Sequence, residues 1–90
     1  MAKELIEYYR DASGLPFGLS LDDYMYAYFK TASGLAAGLS LNDYMRAFYE
    51  AETGYKDLDT GERMYYAIEL GIPDSRLAVD DLRQMFLDSQ

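Results

Sequence analysis

The sequence predicts an all-α fold, four to five short helices in one small bundle spanning residues 1–90, and three observations carry that reading. First, residues 12–31 and 32–51 are one twenty-residue unit written twice without a gap, identical at 12 of 20 aligned positions. A fixed period of this length marks one supersecondary element that buries its apolar face against its neighbours. Second, Leu21, Tyr24, Met25 and Tyr28 fall at i, i+3, i+4 and i+7, matched by Leu41, Tyr44, Met45 and Phe48. That spacing is the stripe of a core-facing amphipathic helix. Third, no segment alternates with period two or is enriched in β-branched residues, as strands would require.

The elements follow in order. A first helix is expected over residues 2–12, with Leu5, Tyr8, Tyr9 and Ala12 on one face. Glycines 14, 34 and 54, twenty apart, end successive helical runs as left-handed C-caps. Loops over 14–19 and 34–39 follow the first two, closed by Gly18 and Gly38 and stiffened in the first by Pro16. The second and third helices are expected over 20–31 and 40–51. Ser20 and Ser40 are placed to accept from first-turn N–H groups, while Asp22, Asp23 and Asp43 sit at the positive end of the helix dipole. Leu19 with Tyr24, and Leu39 with Tyr44, have the spacing of a hydrophobic staple.

A drifted third copy occupies about residues 52–71, its helix expected to start near Asp59 with Glu62 as the paired third position and to stop at Gly71. A turn over 72–75 leads to a C-terminal helix over about 77–88, whose start echoes the repeat. A chain of this length buries only roughly 60 to 65% of the surface that its unfolded form exposes, which leaves little room for an enclosed active site. The period alone is compatible with a solenoid stack or a closed bundle, and the short chain favours the bundle.

Composition narrows the function. There is no histidine and no cysteine, which removes the commonest general base, the strongest nucleophile and any disulfide or thiolate zinc site. Asp22–Asp23 and Asp80–Asp81 are paired carboxylates, but adjacent helical residues point about 100° apart, and first-turn dipole stabilisation explains both pairs. Asp57, Asp59 and Gly61 are spaced somewhat like a calcium loop, yet the glycine comes one place early and Ile68 stands where a bidentate glutamate is needed. The reading is therefore a protein that is not an enzyme and uses no cofactor or metal. No run approaches the roughly 18 apolar residues of a membrane span, and a small cysteine-free chain points to a reducing compartment, here the cytoplasm of a bacterial host cell.

Sixteen acidic against eight basic residues give a net charge of −8, which repels nucleic acid and attracts a basic protein. Ten tyrosines supply rings with a polar tip, suited to half-buried and interfacial positions. Tyr26, Phe29, Tyr49 and Tyr66 fall off the main stripes beside acidic residues. Eight positions differ between the two copies, and three of the changes, Asp22 to Asn42, Tyr26 to Arg46 and Lys30 to Glu50, run at i, i+4 and i+8 opposite the buried stripe, where packing is expected to tolerate them. The candidate partner-binding residues are accordingly Asp22, Asp23, Tyr26, Lys30, Asp43, Arg46, Tyr49 and Glu50.

In size, acidity, absence of cysteine and lack of catalytic residues the chain resembles, at the level of class, the small acidic inhibitors encoded by phages and mobile elements, including anti-CRISPR and other nucleic-acid-mimic proteins. That resemblance implies an inhibitor or decoy for a basic, nucleic-acid-binding protein, with no residue role carried over. The alternative is a structural or regulatory homodimer closed by its tyrosines.

Overall fold

The computed structural model describes residues 3–72 and 77–90, and over these it is all-helical: α1 Leu5–Ser13, α2 Leu21–Ser33, α3 Leu41–Thr53, α4 Leu58–Leu70 and α5 Val79–Asp88. The turn expected over 72–75 lies, from Pro73 on, outside the described residues.

The duplicated unit folds as two equivalent helices with the same ends. Ser20 Oγ accepts from the Asp23 N–H at 3.1 Å while the Ser20 N–H donates to Asp23 Oδ2 at 3.3 Å, and Ser40 and Asp43 repeat both distances. Gly34 closes α2 at φ 72°, in the left-handed region that a side chain would strain. Replacing Ser20 or Ser40 by alanine is expected to lower stability by about 1 kcal/mol per site, read as a shift of the urea midpoint at constant slope. Activity lost from either variant at unchanged stability would show a hydroxyl with a role beyond capping.

Three of the expected starts move, that of α5 from about residue 77 to Val79, after Ala78 as its cap. α1 begins at Leu5, because the Glu4 N–H finds the Glu7 carboxylate at 3.4 Å and so makes Glu4 the cap. α4 is capped by Asp57 and not by Asp59: Asp57 Oδ2 accepts from the Thr60 N–H at 2.9 Å and from the Thr60 hydroxyl at 2.8 Å. Those bonds hold the Asp57 carboxyl below its usual pKa. Asp57 and Asp59 are thus parts of a helix start. The staple pairs are joined through hydrogen bonds: the Tyr24 hydroxyl donates to the Pro16 carbonyl at 2.6 Å and accepts from the Leu19 N–H at 3.2 Å, and Tyr44 does the same with Ala36 and Leu39. Each tyrosine thereby satisfies loop backbone groups that would otherwise depend on water.

Each helix packs on the one before and the one after it in sequence. The succession then closes on itself, because Tyr8 of α1 meets Phe86 of α5 edge-on, with ring centroids 5.3 Å apart. The result is a disc of 34 × 32 × 16 Å. Its hub is built from an aromatic doublet on each of four helices: Tyr8–Tyr9, Tyr28–Phe29, Phe48–Tyr49 and Tyr65–Tyr66, joined by Phe86. These rings line one central cavity of about 10 Å³, the room of about one water molecule. Phe29 shows how tightly they are set, with centroids 5.5 Å from Tyr9, 5.5 Å from Phe48 and 5.6 Å from Tyr49. At such separations tilted and edge-on rings gain beyond simple burial. α3 and α4 approach closely at Gly61, where an added Cβ would stand 3.0 Å from the Tyr49 Cβ.

The expected core is therefore corrected in emphasis. Tyr24, Tyr44, Met45 and Phe48 are buried as the stripe predicts, whereas Leu21, Met25, Tyr28 and Leu41 are only half-buried. Phe29, Tyr49 and Tyr66, which fall off that stripe, are among the most deeply buried side chains. A helix in a closed circle has two neighbours and a hub to cover, so it buries more than one face.

Candidate partner-binding surface

The eight residues singled out by sequence divide in the structure. Asp22, Asp23, Tyr26, Asp43, Arg46 and Glu50 are exposed, and Lys30 is half-buried. Asp23 and Asp43 are already engaged in their capping boxes, and Asp43 also pairs with Arg46 at 3.6 Å. Tyr49 is corrected outright: it is 1% exposed, its ring stacked among Phe29, Phe48 and Tyr65, so no partner reaches it. Tyr26 is partly corrected. Its hydroxyl donates to the Leu39 carbonyl at 3.0 Å and its ring lies edge-on to Tyr44 at 5.3 Å, so it ties α2 to the loop that precedes α3. The Tyr26-to-Arg46 difference is thus not free of packing, and a Tyr26→Arg change would release that loop contact.

The hub separates two sets of phenols. On one side Tyr9, Tyr49 and Tyr66 are buried, and burial, the largest cause, pushes each pKa far up. Here the Tyr66 hydroxyl donates to Glu62 Oε2 at 2.8 Å, and Arg83 brings Nε and Nη2 to the same oxygen at 3.2 and 2.7 Å. Arg83 also reaches Asp80 through Nη1 at 3.0 Å. Glu62 is the one buried charged group among the described residues. It was expected to help start α4, but it is turned inward, where its bonds to Tyr66 and Arg83 tie α4 to α5.

On the other side Tyr8, Tyr28 and Tyr65 are half-buried. Burial again raises their pKa values first, with Tyr8 pushed up to about 12; the phenols and carboxylates nearby add to it. The negative charge of Glu69 bears on all three phenols, and that of Glu52 on Tyr28 and Tyr65. Both carboxylates are exposed, and neither makes an ion pair with a described residue. Between α1 and α2 a groove of about 160 Å³ is lined by Ala12, Ser13, Ala27, Tyr28, Thr31 and Ala32. Tyr28 lines both the groove and the hub cavity.

The chain matches no protein-family model, no curated protein and no solved structure. The signal that would have found this face lies in the repeat. Ala12, Ala32, Glu52 and Glu69 each stand two residues before a C-cap glycine. They are one position written four times, small and apolar on α1 and α2, acidic on α3 and α4.

Among the described residues no helix is long and apolar enough to cross a membrane, and no group of three or more His, Cys, Asp or Glu could hold a metal ion.

Proposed function

We propose that the protein is a non-catalytic docking module that binds a basic, nucleic-acid-binding protein and competes with the nucleic acid for it, as the small acidic inhibitors that it resembles do. The observation that carries this reading is the placement of the acidic residues. Of the described carboxylates only Glu62 is buried, and the exposed ones include Glu52 and Glu69, which bear on the half-buried phenols and have no ion-pair partner among the described residues. Carboxylates that face outward beside tyrosine rings combine steering charge with aromatic contact area, which suits a positively charged, partly apolar surface. Pairing of two copies through these faces is disfavoured by the same charge, since each copy carries −8.

The test uses the full chain immobilised in an extract of its source cells. Captured proteins are released by a salt gradient, and the principal one is then purified. The complex is expected to weaken about tenfold or more between low and high ionic strength, because screening shortens the reach of the charges. The purified partner is expected to lose its nucleic acid as the protein is added, measured by fluorescence anisotropy of a labelled oligonucleotide. A complex indifferent to salt, or a partner that keeps its oligonucleotide at saturation, would overturn the proposal. A concentration-dependent dimer in sedimentation, stable in high salt, would favour the homodimeric module instead.

A further inference from the structure

We infer that the open face of the disc takes a lysine side chain from the protein partner, its ammonium group between Glu52 and Glu69 over the Tyr8, Tyr28 and Tyr65 phenols and its alkyl stem in the groove between α1 and α2. This rests on the docking reading above and names the group that the face would receive.

The two halves of the face are chemically unlike, and the difference is in the sequence. At the position two before each C-cap glycine, α1 and α2 carry Ala12 and Ala32, which leave a groove of about 160 Å³ floored by Ala27 and walled by Tyr28 and Thr31. At the same position α3 and α4 carry Glu52 and Glu69. Tyr8, Tyr28 and Tyr65 stand four residues before Ala12, Ala32 and Glu69 and so share their helix faces, and Tyr28 lines both the groove and the hub cavity; the charge of Glu69 bears on all three phenols and that of Glu52 on Tyr28 and Tyr65. An occupant that satisfies this arrangement has an apolar stem a few carbons long and a compact positive end with several donors. Lysine has both, a four-carbon stem and three rotatable N–H donors. Two carboxylates together attract a cation more strongly than either alone, and the half-buried phenols beside them reduce competition from water.

The same features argue against the other occupants. An acidic or phosphate-bearing ligand would meet two unpaired carboxylates. A purely apolar side chain would fill the groove but leave Glu52 and Glu69 partly desolvated without a partner. A guanidinium has a planar fork that suits one bidentate carboxylate, whereas here the two carboxylates come from different helices, α3 and α4.

The experiment titrates the full-length protein with a lysine–glycine dodecapeptide, with its arginine and glutamate counterparts, and with n-butylammonium, by calorimetry and by NMR of the tyrosine rings. The lysine peptide is expected to bind and to shift Tyr8, Tyr28 and Tyr65 resonances. A Glu52→Gln/Glu69→Gln variant is expected to bind it at least tenfold more weakly. An Asp22→Asn/Glu50→Gln variant, which removes the same charge from the rim, is expected to change affinity less than twofold. Ala32→Leu, which fills the groove with both carboxylates kept, is expected to weaken the lysine peptide about as much as the charge variant does. Circular dichroism and urea midpoints establish that all variants are folded.

Equal weakening by the two charge variants would mean that only net charge matters, and the site is overturned while the docking reading stands. An arginine peptide bound as tightly as lysine overturns the ammonium assignment. Butylammonium bound with the same ring shifts, without peptide binding, would mark a small-molecule site and overturn the protein source. If the purified natural partner binds and Glu52→Gln/Glu69→Gln leaves that binding intact, the face is the wrong surface. If neither peptide nor any basic partner binds, the docking reading itself fails.

Discussion

Phe29→Ala is expected to remove about 3 to 5 kcal/mol of stability, the range for truncating a fully buried phenylalanine. The chain has 90 residues, so its total stability is expected at roughly 5 to 14 kcal/mol, and one such truncation takes a large fraction of it. The size follows from position. Phe29 is 1% exposed and lies at the centre of the hub, in contact with the rings of Tyr9, Tyr28, Phe48 and Tyr49 on three helices. Those rings are fixed by their own helices and cannot all move in to close the hole, so the cavity cost adds to the lost transfer energy. A urea titration measures it directly. A loss under about 1 kcal/mol would mean that the rings are loosely set and that the hub does not hold the disc together. Phe29→Leu, which keeps most of the volume, is expected to cost less than half as much.

The second large effect is alkaline unfolding. Tyr9, Tyr49 and Tyr66 have folded-state pKa values raised well above the ordinary phenol value of about 10, first by burial and then by neighbouring phenols and Glu62. The folded form holds their protons more tightly than the unfolded chain does. Their contribution is therefore fully present below about pH 10 and is lost as pH rises above it. Each phenol that must stay neutral in the folded state lowers stability by about 1.4 kcal/mol per pH unit, so the three together give roughly 4 kcal/mol per unit. Urea midpoints are expected to be level on the neutral side and to fall steeply above about pH 10, with phenol ionisation followed by absorbance in the same cuvette. Phenols that titrate near 10 while the helices persist would show that these rings reach water.

Much of the fold was legible because the signals were local. A serine cap with an aspartate three residues on, and a glycine at fixed distance, placed α2 and α3 within two residues of their ends. Where two local signals competed, tertiary structure chose. The sequence put the start of α4 at Asp59 on the strength of Glu62 three residues on, but Glu62 is turned inward to Arg83 and Tyr66, and Asp57 takes the cap. The hub was less legible, since a helical wheel with one buried face puts Phe29, Tyr49 and Tyr66 outside it. Yet the doublets Tyr8–Tyr9, Tyr28–Phe29 and Phe48–Tyr49 recur twenty apart, so the period itself marked them. The rim residues were readable as exposed, apart from half-buried Lys30, but the ties of Tyr26 were not, because its partners Leu39 and Tyr44 come from the next unit. Glu52 and Glu69 were passed over although each stands two residues before a C-cap glycine, because Gly71 breaks the twenty-residue spacing that Gly14, Gly34 and Gly54 keep and so hides the equivalence.

The order of packing has a consequence for how the chain reaches this shape. Every helix rests on its sequence neighbour, so the contacts that build α1 to α4 close loops of only a few residues, which cost little chain entropy and form fast. The meeting of Tyr8 with Phe86 is different, since it joins rings 78 positions apart and adds its contacts only once the intervening helices stand in place. Assembly is then progressive, each finished helix offering a template to the next, and the last to dock is the one that converts an open row into a circle.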